Sequence, residues 1–379
     1  MIGSERRDAI LRELRLRGTL SVADFAVRLG ISPITLRRDL RDLEAEGQLT
    51  RVHGGATRLQ PLTETELPRT RSGQQLAATF GVSPRKTGDE PPVATIGMIA
   101  PTRGYYYAET INGARDAARL AGVRLMLAIS DYNEAEELRM FDRMLTLRLD
   151  GLLITPSKSD FSDSPLRTLI EGSPIPVTVL ERIWEHPTRT RVVDSVRSDH
   201  RHGAEIAVAH LADLGHRNLA LWTFDNPHVA EIRSGFEAAA ERRGCRVHRP
   251  IFDYGHRDWD SLDSPHNVRR YLAEAVESGV TGLLVHPDQL AVQLVQAAGE
   301  MGVDIPRELS VIAYDDEIAS LSETRLTAVA PPKRAIGFAA IDACLRSIAY
   351  ASSGEGFPAQ RTRLLPVLRV RESTAPLPR

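Results

Sequence analysis

Apolar positions fall into three regimes along the chain. Over the first sixty residues they recur at helical spacing. Ile10, Leu11 and Leu14 mark one helix over about residues 5–17, stopped by Gly18. Val22, Phe25, Ala26 and Leu29 follow the i, i+3, i+4, i+7 rhythm of a second helix, with Ser21 as its N-cap and Gly30 at its end. Leu36, Leu40 and Leu43 define a third, which starts at Ser32-Pro33 and stops at Gly47. A serine cap followed by proline at the first helical position is a strong start signal. Residues 48–53 and 56–59, flanking Gly54-Gly55, read as a short hairpin.

Residues 61–92 keep no apolar period. Pro, Thr, Ser, Gly and charges dominate, so this stretch reads as a linker with at most one short helix near 74–79. From Val93 onward, short apolar runs alternate with amphipathic stretches. The runs at 93–99, 123–129, 152–155, 177–180, 219–223, 282–285 and 309–314 predict buried strands. Helices are predicted near 108–121, 134–147, 200–214, 229–243, 267–278, 288–301 and 333–350. Such alternation implies an α/β fold, parallel sheets with helices on both faces. The expected organisation is a mainly helical head over 1–60, a linker over 61–92 and an α/β body over 93–373.

Charge sharpens the reading of the head. Residues 1–60 hold eleven arginines, no lysine and eight acids, a net +3, whereas the other residues sum to −5 within a chain of net charge −2. A basic head on an acidic body suggests a polyanion partner for the head. Two helices joined by a short turn, the second opening with small polar groups and carrying arginines, suit entry into the major groove of DNA. The candidate contacts are Ser32, Pro33, Ile34, Thr35, Arg37, Arg38 and Arg41 on that helix, with Arg51, His53 and Gly54 on the hairpin as a wing. Asp39 is expected to be a structural partner, since a carboxylate facing phosphate is repulsive. A three-helix scaffold module with solvated arginines would share the pattern. The segment GISPITLRRDLRDLEAEGQLTRVHGGA, at 30–56, closely resembles the DeoR-type regulator signature. That resemblance implies a winged helix-turn-helix and a DNA-binding transcription factor.

The body shows no nucleophile elbow, P-loop or dinucleotide-binding glycine turn. Its histidines, among them His200, His202, His210 and His216, lack the spacing of a zinc motif, so neither metal nor cofactor is expected. Six segments, LDGLLIT (149–155), SPIPVTVLER (173–182), 196–222, GVDIPRELSVIAYDD (302–316), 325–340 and VLRVREST (367–374), resemble the periplasmic-binding-protein-like sensor of the lactose repressor and purine repressor family. The resemblance implies two doubly wound lobes joined by three crossing strands, with a small effector between them. It also implies cleft positions: Tyr106, Tyr107, Thr155, Glu181 and Arg182 from the first lobe, and Arg233, Trp259, Asp288 and Asp315 from the second. Trp259 is similar to a tryptophan that stacks on a sugar face. Two positions depart from the family pattern. Ile232 stands where an effector-clamping arginine is usual, with Arg233 following it, and Pro287 replaces an asparagine. Loss of the arginine fork should weaken binding of the usual sugar or purine effectors. A further departure is architectural, because the winged head and long linker replace the usual head and hinge helix.

Composition adds exclusions. Two cysteines, Cys245 and Cys344, cannot build a disulfide framework. No signal-like segment opens the chain and no run of eighteen apolar residues occurs, so a cytoplasmic protein without membrane contact is expected. The expected function is a ligand-responsive repressor, acting as a homodimer on a double-stranded operator and controlled by a small metabolite, a carbohydrate or a relative of one. The alternatives are a sugar-processing enzyme with a regulatory head and a solute-binding transport component. The first would need a catalytic set that the sequence does not offer. The second is opposed by the head and by the lack of a leader.

Overall fold

In the computed structural model the described residues are 6–7, 10–11, 14, 19–29, 31–45, 49–52, 55–58, 92–147, 149–160, 162–184, 193–223, 226–248, 265–353 and 358–377. The linker, with the short helix expected near 74–79, lies outside them. The chain divides between Thr70 and Arg71 into two compact units.

In the first unit, residues 6, 7, 10, 11 and 14 are helical. They are followed by β1 (Thr19–Ser21), α1 (Val22–Leu29), α2 (Pro33–Ala45), β2 (Leu49–Val52) and β3 (Gly55–Arg58). The periodic leucines of α2 meet Ile10, Leu14, Phe25 and Ala26 in one core, with Leu20, Leu49 and Ala56 from the strands. The wing has three antiparallel strands in the order β1-β3-β2, one more than the hairpin expected. Three residues are too few for β1 to show a period. Gly55 sits opposite Ser21, and a Cβ there would lie 2.0 Å from the Leu20 carbonyl oxygen. Gly55→Ala should therefore destabilise the head by about 1–3 kcal/mol, read as a lower melting temperature of the full chain's first transition.

The second unit holds two doubly wound lobes. The first contains β4 (Thr95–Ala100), α3 (Tyr106–Leu120), β5 (Arg124–Ile129), α4 (Glu134–Thr146), β6 (Gly151–Ile154), α5 (Pro165–Glu171), β7 (Val177–Leu180) and β8 (Asp194–Ser198). The second contains α6 (His200–Asp213), β9 (Asn218–Thr223), α7 (Val229–Arg242), β10 (Arg246–His248), α8 (Pro265–Glu277), β11 (Gly282–His286), α9 (Asp288–Met301), β12 (Ser310–Tyr314) and β13 (Thr327–Ala330). Helix α10 (Lys333–Ser353) and β14 (Arg361–Leu364) return to the first lobe, and β15 (Val367–Arg369) closes the second. The chain thus passes between lobes three times.

The sheets run β14-β8-β7-β6-β4-β5 and β10-β9-β11-β12-β13-β15. Every pairing in them is parallel except β13 with β15. Each sheet places its first strand beside its third, leaving a crevice where the strand order reverses. Alternate residues serve opposite faces. In β6, Leu152 and Ile154 pack toward α4 and α5 while Leu153 packs toward α3 and α10. In β11, Leu283 and Val285 face α8 and α9 while Leu284 faces α6 and α7. Burial on both faces is why these strands read as unbroken apolar runs. Helix α10 docks on α3 through a pair of glycines. A Cβ at Gly113 would lie 1.9 Å from the Arg334 carbonyl oxygen, and one at Gly337 1.9 Å from that of Thr110.

Candidate nucleic-acid interface and effector cleft

Helix α2 begins as its sequence dictates. The Ser32 hydroxyl accepts from the Thr35 amide at 3.1 Å and lies 2.8 Å from the Thr35 hydroxyl, with exposed Pro33 at the first helical position. With Leu36, Leu40 and Leu43 buried, residues 34, 37, 38 and 41 share the outer face at i, i+3, i+4, i+7 spacing. Ile34 is 76% exposed, and Arg37, Arg38 and Arg41 are exposed as well. Among the described residues these three arginines have no carboxylate partner. The acids of the helix are held elsewhere. Arg6 grips buried Asp39 with two hydrogen bonds, of 2.8 and 3.2 Å, and Arg7 pairs with Asp42 at 3.1 Å. The result is an uncancelled cationic stripe. Arg51 is less free, since Glu44 accepts from its amide at 3.0 Å and lies 3.6 Å from its guanidinium. His53 and Gly54 lie outside the described residues.

The cleft is built from the carboxyl ends of strands in both lobes, where open α/β sheets bind ligands. On the first lobe, Tyr106 donates to Glu181 at 2.8 Å and lies 3.1 Å from the Ser198 hydroxyl. Glu181 also accepts from the Ser198 amide and hydroxyl, both at 3.0 Å, and lies 3.7 Å from His200 Nε2. Burial alone would raise the Glu181 carboxyl, but His200, Ser198 and Tyr106 outweigh it and hold the group below its ordinary range. Arg182 donates to the Tyr107 hydroxyl at 3.3 Å, to Glu181's own carbonyl at 2.7 Å and to the Lys158 carbonyl at 3.0 Å. Thr155, just past β6, is fully buried with its hydroxyl unpartnered.

The second lobe contributes acids. Asp288 opens α9, and its Oδ2 accepts from the amides of Glu317, Ile318 and Ala319 at 2.7, 2.7 and 3.0 Å. Asp315, after β12, faces His286 Nε2 at 3.3 Å, while its Oδ1 is buried without a partner. Burial would raise Asp315, yet His286 and then Lys333 bring it below its ordinary range. Asp288 goes the other way, raised by burial and by Asp315. Tyr105 crosses the cleft, donating to Asp288 and approaching Asp315 at 3.3 Å. Burial, then the two carboxylates, push its phenol far above its ordinary range, so it stays a donor. Tyr105, Glu181 and Asp315 all hold positive φ, at 45°, 51° and 97°. Such strain costs about 1–3 kcal/mol per residue and clusters at functional sites.

Glu317 is raised to about 7, first by burial and then, against the pull of Lys333, by Asp315 and Asp288. A raised carboxyl binds more protons folded than unfolded, so wild-type stability falls as pH climbs from about 4.5 toward 7. Glu317→Gln removes that loss. Its melting temperature relative to wild type should rise across this window, by the equivalent of about 2–3 kcal/mol at pH 7. A pH-independent difference would place the raised group elsewhere.

Tyr106, Tyr107, Thr155, Glu181, Arg182, Asp288 and Asp315 are thus brought together or onto adjoining strand ends. Arg233 is not. It stands exposed on α7, because a helix turns about 100° per residue and Ile232 takes the buried side. Glu231 instead binds buried Arg197 at 2.5 and 2.7 Å. Trp259 lies outside the described residues. The sequence reading missed Tyr105, Ser198, His200, His228, His286 and Lys333. The rings of His200 and His228 stack at 4.0 Å, and burial, then neighbouring cations, keep His228 neutral. The signal that could have found several of these was position within a few residues of a strand's carboxyl end. Among the described residues, no helix is long and apolar enough to cross a membrane.

Residues 6–61 match the DeoR-like helix-turn-helix domain and residues 208–374 the periplasmic binding protein-like domain. The chain is 27% identical to catabolite control protein A of Priestia megaterium, over 77% of this chain and 86% of that protein. It is 26% identical to an arabinose metabolism transcriptional repressor of Halalkalibacterium halodurans, over 91% and 87% of the two chains. A LacI family transcriptional regulator from Enterococcus faecium, solved with bound ribose, superposes with a TM-score of 0.58 at 24% identity, over 75% of this chain and all of that one. The chain is a transcriptional regulator that joins a DeoR-type winged helix-turn-helix head to a LacI/GalR-family, periplasmic-binding-protein-like sensor.

Proposed function

We propose that this regulator is a repressor whose operator affinity is set by a small carbohydrate-class metabolite held between the sensor lobes. The observation that carries the reading is the cleft itself. Hydrogen-bonding groups from both lobes converge there, and the Thr155 hydroxyl and Asp315 Oδ1 are buried without partners. Buried polar atoms are rarely left unpaired, and hydroxyls of a sugar would pair them. The similarity to an arabinose metabolism repressor supports the class.

The head supplies the output. The Arg37, Arg38 and Arg41 stripe neutralises phosphates or reads guanine, and exposed Ile34 suits a thymine methyl. Two copies would present two heads to paired half-sites. Ligand changes DNA affinity only by its preference for one lobe arrangement over another. Domain boundaries near residues 60 and 92 fit this division of labour. We read the protein as binding its metabolite without turning it over, in line with relatives named as transcriptional repressors and regulators.

The test is a thermal-shift screen of the full chain with pentoses, hexoses and their derivatives, followed by Asp315→Asn. A true effector should raise the melting temperature of the wild type. Asp315→Asn should weaken that ligand about 10-fold or more while leaving operator binding intact. Unchanged ligand affinity in the variant would remove Asp315 from the cleft's binding set.

A further inference from the structure

Among the described residues, several basic side chains elsewhere in the cleft stand beside acids. Arg197 pairs with Glu231, Lys333 with Glu317 and His286 with Asp315. Arg182 does not. It is 2% exposed, and its three hydrogen-bond partners are the Lys158 carbonyl, the Glu181 carbonyl and the Tyr107 hydroxyl, all neutral. The neighbouring carboxylates make their hydrogen bonds elsewhere, although Glu137 lies close enough to feel the Arg182 charge. That of Glu181 is committed to Ser198, Tyr106 and His200, and Glu137 accepts from the Ser157 amide and hydroxyl at 2.8 and 3.0 Å. One terminal nitrogen of Arg182, Nη2, has no acceptor among the described residues.

A buried guanidinium with no carboxylate in contact and an unpartnered nitrogen is costly, and proteins pair such groups or use them. The orphaned Thr155 hydroxyl ends β6, the strand beside β7, and Arg182 lies just past the end of β7. The first lobe thus offers a guanidinium nitrogen without an acceptor and a free hydroxyl. Across the cleft, the second offers the free Asp315 oxygen, an acceptor for a hydroxyl donor. The cleft is polarised.

We propose that the effector is a hydroxylated anion. Its carboxylate or phosphate seats on Arg182 and Thr155, and a hydroxyl donates to Asp315. This rests on the carbohydrate reading above and narrows it. A neutral sugar would satisfy Asp315 and Thr155 but bring no anionic acceptor to Arg182 Nη2, whereas a sugar acid or sugar phosphate satisfies all three.

The test uses the full chain, with calorimetric titration of D-glucose and L-arabinose against D-gluconate, D-galacturonate and glucose 6-phosphate. At least one anion should bind about 10- to 100-fold more tightly than the neutral sugars, the factor expected for a charge-assisted hydrogen bond. Preference for the carboxylates or for the phosphate identifies which anion the seat takes. Arg182→Gln should abolish the preference for the anion over the neutral sugars. If that variant fails to fold, Thr155→Val decides, because replacing an unpartnered buried hydroxyl by a methyl should hold or raise the unliganded melting temperature while weakening the anion. Neutral sugars binding as tightly as the acids would overturn the anion assignment and leave the carbohydrate reading standing. Binding of no sugar in any form would overturn both.

Discussion

Replacing Arg37 and Arg38 together by alanine should lower operator affinity by about 100-fold or more without lowering the melting temperature. Both side chains are exposed and hold no carboxylate among the described residues, so the folded head loses nothing when they are shortened. On DNA the situation reverses. A bidentate contact to guanine discriminates by about 1–3 kcal/mol, and each phosphate contact adds about one unit to the salt slope. Fluorescence anisotropy on an operator fragment across a salt series separates the two roles. A flatter slope with specificity retained assigns phosphate contact, and relaxed specificity assigns base reading. Arg6→Ala is the contrast. It strips Asp39 of its guanidinium and leaves a buried carboxylate, so it should destabilise the head instead. Wild-type affinity in the double variant would remove α2 from the major groove.

Much of this architecture could be read from residues alone, and the exceptions share a cause. Strands β6, β7, β11 and β12 are apolar on both faces and announce themselves. Strand β8 reads DSVRS and gives no such signal, although all five residues are buried. Its polar side chains are satisfied by groups far along the chain. Asp194 accepts from the Gln360 amide at 2.6 Å and from Ser347, Arg197 binds Glu231, and Ser198 binds Glu181. Only tertiary structure makes that sequence a strand, and with β8 unseen, nothing marked the His200 that follows it as a cleft residue. Strands β14 and β15, of four and three residues, are partly exposed, so no apolar run marks them. Tyr105 was passed over for a different reason. The resemblance pointed to its neighbours Tyr106 and Tyr107, but the turn before α3, with Tyr105 at φ 45°, swings the first of the three aromatics across to the second lobe.

The same comparison changes what Asp288 is expected to do. Resemblance placed it among effector contacts. The structure fills its carboxylate first, because three consecutive amides converge on Oδ2 and the Tyr105 hydroxyl takes Oδ1. Asp288 is therefore a staple that ties the start of α9 to the turn following Asp315 and lets one lobe hold the other. Asp288→Ala would strand those amides in a buried site, at about 1–3 kcal/mol for each unsatisfied group, so a loss of about 3 kcal/mol or more is expected in urea unfolding. Tyr105→Phe removes only the bridge between lobes. It should leave most of that stability intact while loosening the closed arrangement, seen as a larger radius of gyration in solution scattering without ligand. A hydrogen bond to a charged acceptor contributes about 1.5–3 kcal/mol, enough to shift a lobe equilibrium about 10- to 100-fold. In a double-mutant cycle the two substitutions should couple, because Tyr105 loses its acceptor when Asp288 is removed. Additive effects would mean that the Tyr105 hydroxyl draws its hold on the second lobe from Asp315 rather than Asp288, and the latch would then belong to the carboxylate that also offers a free oxygen to ligand.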